Sequence, residues 1–168
     1  AVQAYGKRAL DVIEWVESLL KKRSPMHIRL VKGAYWDYEI KNSQVLGHKG
    51  YSVFTKKAHT DISYLACAEK ILSIEGISAK FASHNAHTIA AINEMAKGQE
   101  FEYQRLYGMG ELLYKKADEV FSSNYKTSIY APIGKYKDLL PYLVRRLLEN
   151  GANSSFINRL LDPQTDSL

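Results

Sequence analysis

Apolar positions along this chain change period repeatedly, from about 3.6 residues to 2 and back, which is the mark of alternating helices and strands. Residues 7–22 place Leu10, Ile13, Val16, Leu19 and Leu20 at helical spacing. His27 to Gly33 reads as a short strand with a glycine exit. A polar loop through Gly47, His48 and Gly50 follows, and residues 55–73 then predict a longer helix. Its buried side is expected to hold Ile62, Leu65, Ala66, Cys67, Ile71 and Leu72. Ala79 to Ser83 predicts a strand, followed by a helix ending before Gly98. Glu100 to Gln104 alternates strictly between polar and aromatic residues and predicts another strand. Residues 111–120 predict a helix and Thr127 to Ala131 the last strand. Pro132 and Gly134 then turn the chain into a helix carrying Arg145 and Arg146, and from Gly151 onward the sequence reads as polar loop.

That succession is a strand and a helix repeated about four times, with connections long enough for right-handed crossovers to a parallel sheet. The fold class is α/β. A doubly wound open sheet satisfies the pattern, but such a sheet is usually apolar on both faces. Here Arg29, Glu102 and Gln104 fall inside strands. Inward-pointing polar residues near the top of the strands are what a (β/α)8 barrel active site needs. A full barrel takes roughly 250 residues, so this chain predicts about half of one. Residues 1–168 are expected to form that half-barrel and a following loop, without a second domain.

Bulk properties narrow the class only slightly. At 168 residues the chain is long enough for a real core, and 46% hydrophobic with 24% charged residues is an ordinary globular balance. No apolar run approaches membrane-spanning length. The first residues lack the basic and apolar regions of a signal peptide, and the missing Met points to an internal piece. Cys67 is the single cysteine, which excludes an internal disulfide and fits a reducing cytosol; its apolar neighbours predict a buried, inert thiol. The net charge of +5 permits an anionic partner, yet the basic residues are dispersed. The tightest group, Lys21-Lys22-Arg23, sits at a predicted helix end, where it complements the dipole.

Several segments carry candidate chemistry. On a helical wheel Leu139, Leu140, Leu143, Val144, Leu147 and Leu148 share one half, and Tyr142, Arg145, Arg146 and Glu149 the other. The polar half is either a solvated face or a clamp for a small carboxylate, since guanidiniums bind carboxylates bidentately. The strand exit Arg29 to Trp36 is the densest polar and aromatic cluster. Gly33 there permits close approach of a ligand, Trp36 can stack on a base, and Lys32 invites a Schiff base. Ser83-His84-Asn85-Ala86-His87 lies at a strand-to-helix turn, as does Thr55-Lys56-Lys57 before its helix. Two such helix starts suit a pyrophosphate, and ordinary capping explains either alone. No HExxH, GxGxxG or Walker loop is present, which disfavours a metal site and a Rossmann or P-loop nucleotide site. Tyr130 ends the last strand, at the mouth of a barrel or as a rim aromatic.

Taken in order, RLVKGAYW (29–36), TKKAHTDISYLACA (55–68), FASHNAHT (81–88), FEYQRLYGMGE (101–111), IYAPIG (129–134) and YLVRRLLENGANSSFINR (142–159) resemble the proline dehydrogenase family. The last of these resembles its bacterial bifunctional branch. The resemblance runs through essentially the whole chain, with Tyr107, Ser52 and Ser128 as small departures. It implies a (β/α)8 barrel holding FAD, here the C-terminal half, with no metal. The implied reaction oxidises L-proline to Δ1-pyrroline-5-carboxylate by hydride transfer from C5 to flavin N5. Electrons then pass to a membrane quinone. By similarity Arg145 and Arg146 would bind the proline carboxylate, with Tyr35, Leu106, Tyr130 and Tyr142 walling the ring. Arg29 would lie near flavin N5 and Gln3 near the isoalloxazine. Val31, Lys32, Gly33, Ala34, Trp36, Thr55, Lys56, His84, Asn85, Glu149, Ser155 and Phe156 would hold the rest of FAD. The implied partners are the N-terminal half of the barrel and an aldehyde dehydrogenase domain of the same parent chain. Two other readings are a Schiff-base lyase using Lys32 and a non-catalytic fragment that self-associates through open sheet edges. A cytoplasmic location, peripheral at the inner membrane, is expected.

Overall fold

A computed structural model of the chain describes residues 1–20, 26–121 and 125–153, with residues 147–153 as backbone only. Lys21-Lys22-Arg23, Ser155 and Phe156 lie outside the described residues, as do the side chains of Leu147, Leu148 and Glu149. The chain divides into two compact units, Ala1–Tyr130 and Ala131–Leu168.

The first unit runs β1 (Val2–Gln3), α1 (Ala9–Leu20), β2 (Met26–Val31), α2 (Trp36–Val45), α3 (Lys57–Leu72), β3 (Ile77–Ala82), α4 (Ala86–Ala96), β4 (Phe101–Leu106), α5 (Glu111–Val120) and β5 (Tyr125–Tyr130). The second holds α6 (Tyr136–Asn153), with Pro141 inside it. All five strands are parallel and lie in the order in which the chain makes them. A doubly wound sheet reverses its strand order part-way, whereas a barrel never does. This order is therefore that of a barrel arc.

The faces of the sheet agree. Side chains alternate along each strand, and one set is buried: Ile28 and Leu30, Ala79 and Phe81, Phe101 and Tyr103. They pack with Ile13 and Val16 of α1, Tyr64, Cys67 and Ile71 of α3, Ile89 and Ile92 of α4, and Tyr114 of α5. Helices α1, α3, α4 and α5 thus share one face. The other face carries Arg29, Lys80, Glu102, Gln104 and Ser128, the polar interior expected of a barrel.

Three departures from expectation have physical reasons. Residues 36–45 form α2 where a polar loop is expected; only Ser43 is buried there, so no apolar stripe announces the helix. Asp37 and Glu39 in its first turn favour it. Gly47, at φ +65°, closes it in a Schellman motif, with Gly47 N–H donating to Gln44 O and His48 N–H to Ser43 O. In α3 the buried side is Tyr64, Cys67, Ala68 and Ile71, and Ile62 is 68% exposed. Tyr64 goes inward because its hydroxyl reaches the carbonyls of Leu30 and Ala82. Finally, α6 continues to Asn153, past Gly151.

Candidate functional site

The buried aromatic layer fixes the strand ends. The Phe81, Phe101, Tyr103, Tyr114 and Tyr125 rings meet mostly edge to face, with centroids 4.9–5.7 Å apart. Three core phenols, those of Tyr64, Tyr103 and Tyr114, each find a carbonyl. Tyr103 donates to Ile89 O at 2.8 Å, and Tyr114 donates to Ser83 O at 2.6 Å. With Tyr64 on Ala82 O at 3.3 Å, two phenols hold the exit of β3 just before His84. Burial pushes the phenols of Tyr64, Tyr103 and Tyr114 far above the ordinary range, so they remain donors.

On the opposite face the strands align charged residues in rows. Arg29 pairs in register with Lys80, and Lys80 with Glu102. Lys80 Nζ reaches Glu102 at 2.6 Å. Gln104 Nε2 and Ser128 Oγ also donate to the same carboxylate, at 2.9 and 2.6 Å. Burial alone would raise the Glu102 pKa, but these three donors outweigh it and hold the carboxyl down at about 2. Arg29 makes no ion pair among the described residues. Its guanidinium lies over the Tyr130 ring, 5.6 Å from the centroid, and its buried Nε has no hydrogen-bond partner. Leu106 and Tyr130 are register partners at the C-terminal ends of β4 and β5, and Gln3 and Val31 are partners at the other edge. Gln3, Arg29, Val31, Leu106 and Tyr130 therefore share one face, as a barrel mouth requires.

Lys32 does not join them. One residue past β2, it stands on the helix side, paired with Asp61 and 5.9 Å from the Tyr64 ring. Lys57 also reaches Asp61, at 2.7 Å. Burial opposes the Asp61 charge, yet the two ammoniums win and hold its pKa low. An ion-paired ammonium is a poor start for a Schiff base, which needs the neutral amine. Lys56 is the N-cap of α3 without a side-chain cap bond, and Thr55 and Lys56 are exposed. Two lysines, Lys32 and Lys57, thus hold one carboxylate near the start of α3, with Lys56 exposed beside them.

The remaining predicted residues hold the scaffold as well as the rim. Gly33 sits at φ +135°, and a Cβ there would enter the Tyr5 ring. The close approach that the glycine permits is made by this ring. Tyr35 is the N-cap of α2, and Trp36 in its first turn donates its indole N–H to Phe54 O at 2.8 Å; Ala34 links them to Gly33. His84 Nε2 accepts from Leu106 N–H at 3.1 Å, which spends that lone pair on the exit of β4. Asn85 caps α4, its Oδ1 accepting from Thr88 N at 2.9 Å.

In the second unit, Arg146 lies over the Tyr142 ring at 5.1 Å. Tyr142, Arg145 and Arg146 are half-buried, while Leu140, Leu143 and Val144 remain 44–48% exposed. An apolar groove of about 330 Å³ lies elsewhere, among Leu10, Phe54, His59, Ile62 and Ala66, and involves none of the strand ends.

Comparison with known proteins decides what these strand ends belong to. The family model described as proline dehydrogenase matches residues 1–159. The chain belongs to the proline dehydrogenase family. It is 51% identical to the bifunctional protein PutA of Klebsiella aerogenes, over 96% of this chain and 13% of that protein. It is 47% identical to the bifunctional protein PutA of Rhizobium meliloti, over 97% of this chain and 14% of that protein. A crystal structure of a Bradyrhizobium japonicum proline utilization A variant superposes with a TM-score of 0.85 at 52% identity, covering 98% of this chain and 17% of that one. The chain thus spans roughly an eighth of the length of these curated relatives. The α/β class and the partial barrel expected for a proline dehydrogenase are both borne out.

Sequence reasoning noticed Glu102 and Gln104 as misplaced in an apolar strand but did not assemble their network. Lys80 and Ser128 were missed, as were Tyr5 and Asp61. The signal for Lys80 was available: in Ile77-Ser78-Ala79-Lys80-Phe81-Ala82 it alternates with the buried residues, as Glu102 does in β4.

Proposed function

We propose that this chain carries flavin- and proline-contacting side chains of a proline dehydrogenase, oxidising L-proline to Δ1-pyrroline-5-carboxylate with FAD as the immediate acceptor. The observation that carries the reading is Arg29, a cation with an unpartnered buried Nε on the polar face of a barrel arc, above Tyr130. A planar group with acceptor atoms, such as an isoalloxazine, suits that arrangement, and the family points the same way. Bound FAD would supply a hydride acceptor at N5 for proline C5.

The chain's own groups would do the rest by positioning, since hydride transfer needs little acid–base chemistry. Arg29 supplies positive charge to a ring that becomes anionic on reduction. Gln3 and Val31 flank it on the same face. Gly33, Ala34 and Trp36 shape the rim, and the lysines at the start of α3, with Thr55, His84 and Asn85, would meet the rest of the cofactor. Lys32 acts there as charge held by Asp61 rather than as a nucleophile. Glu149, Ser155 and Phe156 complete the set proposed for FAD. Arg145 and Arg146 would hold the proline carboxylate, and Leu106, Tyr130, Tyr35 and Tyr142 would wall the ring. Electrons would leave to a membrane quinone, and the parent would then work in the cytoplasm, peripheral at the inner membrane. An aldehyde dehydrogenase domain of the parent would oxidise the product onward, as the bifunctional relatives suggest.

The test is the visible spectrum of the purified chain with FAD, before and after anaerobic proline. Retained flavin that bleaches with proline supports the reading in full. Retained flavin without bleaching confines this chain to cofactor binding. No retained flavin, together with concentration-dependent association, favours the self-associating fragment.

A further inference from the structure

The covered part of the polar face holds two cations, Arg29 and Lys80, where one would be expected to disturb the other. Arg29 and Lys80 are cross-strand register partners on adjacent strands, and like charges so placed repel. Lys80 is turned away to Glu102, at 2.6 Å. Glu102 is in turn fixed by Ser128 at 2.6 Å and by Gln104 at 2.9 Å, so its carboxylate has no freedom to follow Arg29. Both members of the pair are about three-quarters covered, where charges interact more strongly than in open water. Among the described residues, Arg29, Lys80 and Glu102 together carry one net positive charge, and the row ends beyond them at the solvent-exposed Lys126, opposite Glu102.

We infer that Glu102 is a positioning residue for the cofactor chemistry: by neutralising Lys80 it keeps the covered part of the row, away from the exposed Lys126, at the charge of Arg29, and thereby sets how strongly the chain favours reduced over oxidised flavin. This rests on the flavin reading given above. Glu102 acts through Lys80 and does not itself touch the cofactor. Removing its charge leaves Lys80 uncompensated and makes the face more positive, which stabilises the anionic reduced ring. Removing the lysine leaves the carboxylate uncompensated and works in the opposite direction. A merely structural role for the pair would lower stability in every variant, without opposite-signed effects on the flavin.

The experiment measures the flavin midpoint potential of the FAD-loaded chain by equilibration against a reference dye. Glu102→Gln, Lys80→Met, the double variant and Ser128→Ala are compared, with folding checked by circular dichroism. Glu102→Gln is expected to favour reduction about tenfold, about 30 mV upward for a two-electron couple. Lys80→Met is expected to shift the potential downward by a similar amount. The double variant and the uncharged Ser128→Ala should both stay close to the parent. If Glu102→Gln does not fold, the downward shift in Lys80→Met carries the test. Unchanged potentials in flavin-loaded Glu102→Gln and Lys80→Met overturn this inference and leave the flavin reading standing. Shifts of the same sign in both also overturn it. A parent chain that retains no flavin overturns the cofactor reading for this chain and this inference with it.

Discussion

Replacing Tyr114 by Phe removes one oxygen from a side chain that is 3% exposed and leaves the ring stacking intact. The hydroxyl donates to Ser83 O at 2.6 Å, a bond at the short end of the range. Ser83 lies just past the end of β3, outside the strand ladder, and is itself buried. The variant therefore loses the net value of one hydrogen bond, about 1 kcal/mol, and also leaves a buried carbonyl without its phenol. Together these put the cost at about 1.5–2 kcal/mol. Tyr103 bonds the carbonyl of Ile89, within α4, at 2.8 Å, so its removal should cost less. Tyr64, with bonds of 3.3 and 3.5 Å to strand carbonyls, should cost least.

The assay is urea unfolding followed by far-UV circular dichroism, with Tyr38→Phe, at a 65% exposed position, as the control. A shift in midpoint at constant slope reports stability alone. For a chain of this size the Tyr114→Phe loss corresponds to a fall in Tm of about 3–8 °C. Ser83 precedes His84, whose Nε2 holds Leu106 N–H at 3.1 Å, so flavin retention should fall as well. A Tyr114→Phe variant as stable as Tyr38→Phe would refute the reasoning, because the carbonyl would then be satisfied without the phenol.

Acid should weaken the fold through Glu102. Its folded pKa, about 2, lies below the ordinary 4.5, so its stabilisation is present above about pH 4.5 and is lost as pH falls from there through 2. After allowance for solvent this is about 1–2 kcal/mol, and Glu102→Gln should flatten that part of the unfolding-versus-pH curve; a parallel acid curve would count against the network. Gly33→Ala should cost more than 2 kcal/mol, since Cβ meets the Tyr5 ring at φ +135°, whereas Gly47→Ala, with open space at φ +65°, should cost about 1 kcal/mol. Equal losses on denaturation would mean that the Tyr5 ring moves aside. In the intact parent, Arg145→Met or Arg146→Met should raise the proline KM at least tenfold, from the loss of a charge-assisted carboxylate contact; an unchanged KM would remove them from the substrate site.

Much of the fold was legible because the first unit obeys simple periods. In β2, β3 and β4 the buried residues fall two positions apart, so alternation located the strands to within a few residues. The helix α2 was hidden because its length buries only Ser43, and periodicity detects a helix only through a buried stripe. Two-residue β1 is too short for alternation to register. At the site, Arg29 was legible as a charge inside a strand. Lys32 was grouped with it by closeness in sequence, although positions 29 and 32 differ by an odd number and fall on opposite faces of extended backbone. Asp61 then gives Lys32 a partner that no local motif announces, 29 residues away.

The two faces of the sheet divide the work, and the division bears on why Arg29 is unmatched. The helix face carries the stability, with the Tyr64, Tyr103 and Tyr114 phenols each on a carbonyl. The polar face must offset every buried charge, and it does so for Lys80 and Glu102. Arg29 alone in that row keeps a buried Nε without a partner, which costs about 1–3 kcal/mol. Its position over Tyr130 returns only about 0.5–1 kcal/mol. A group kept at a net loss in the free chain recovers that loss when a ligand supplies the missing acceptor. Arg29→Met should therefore leave the ligand-free chain as stable as the parent or more stable by about 1 kcal/mol, while weakening its hold on FAD by tenfold or more. Urea unfolding without cofactor and flavin titration on the same samples separate the two effects. A variant that is less stable yet binds FAD as the parent does would show that Arg29 belongs to the scaffold and not to the site.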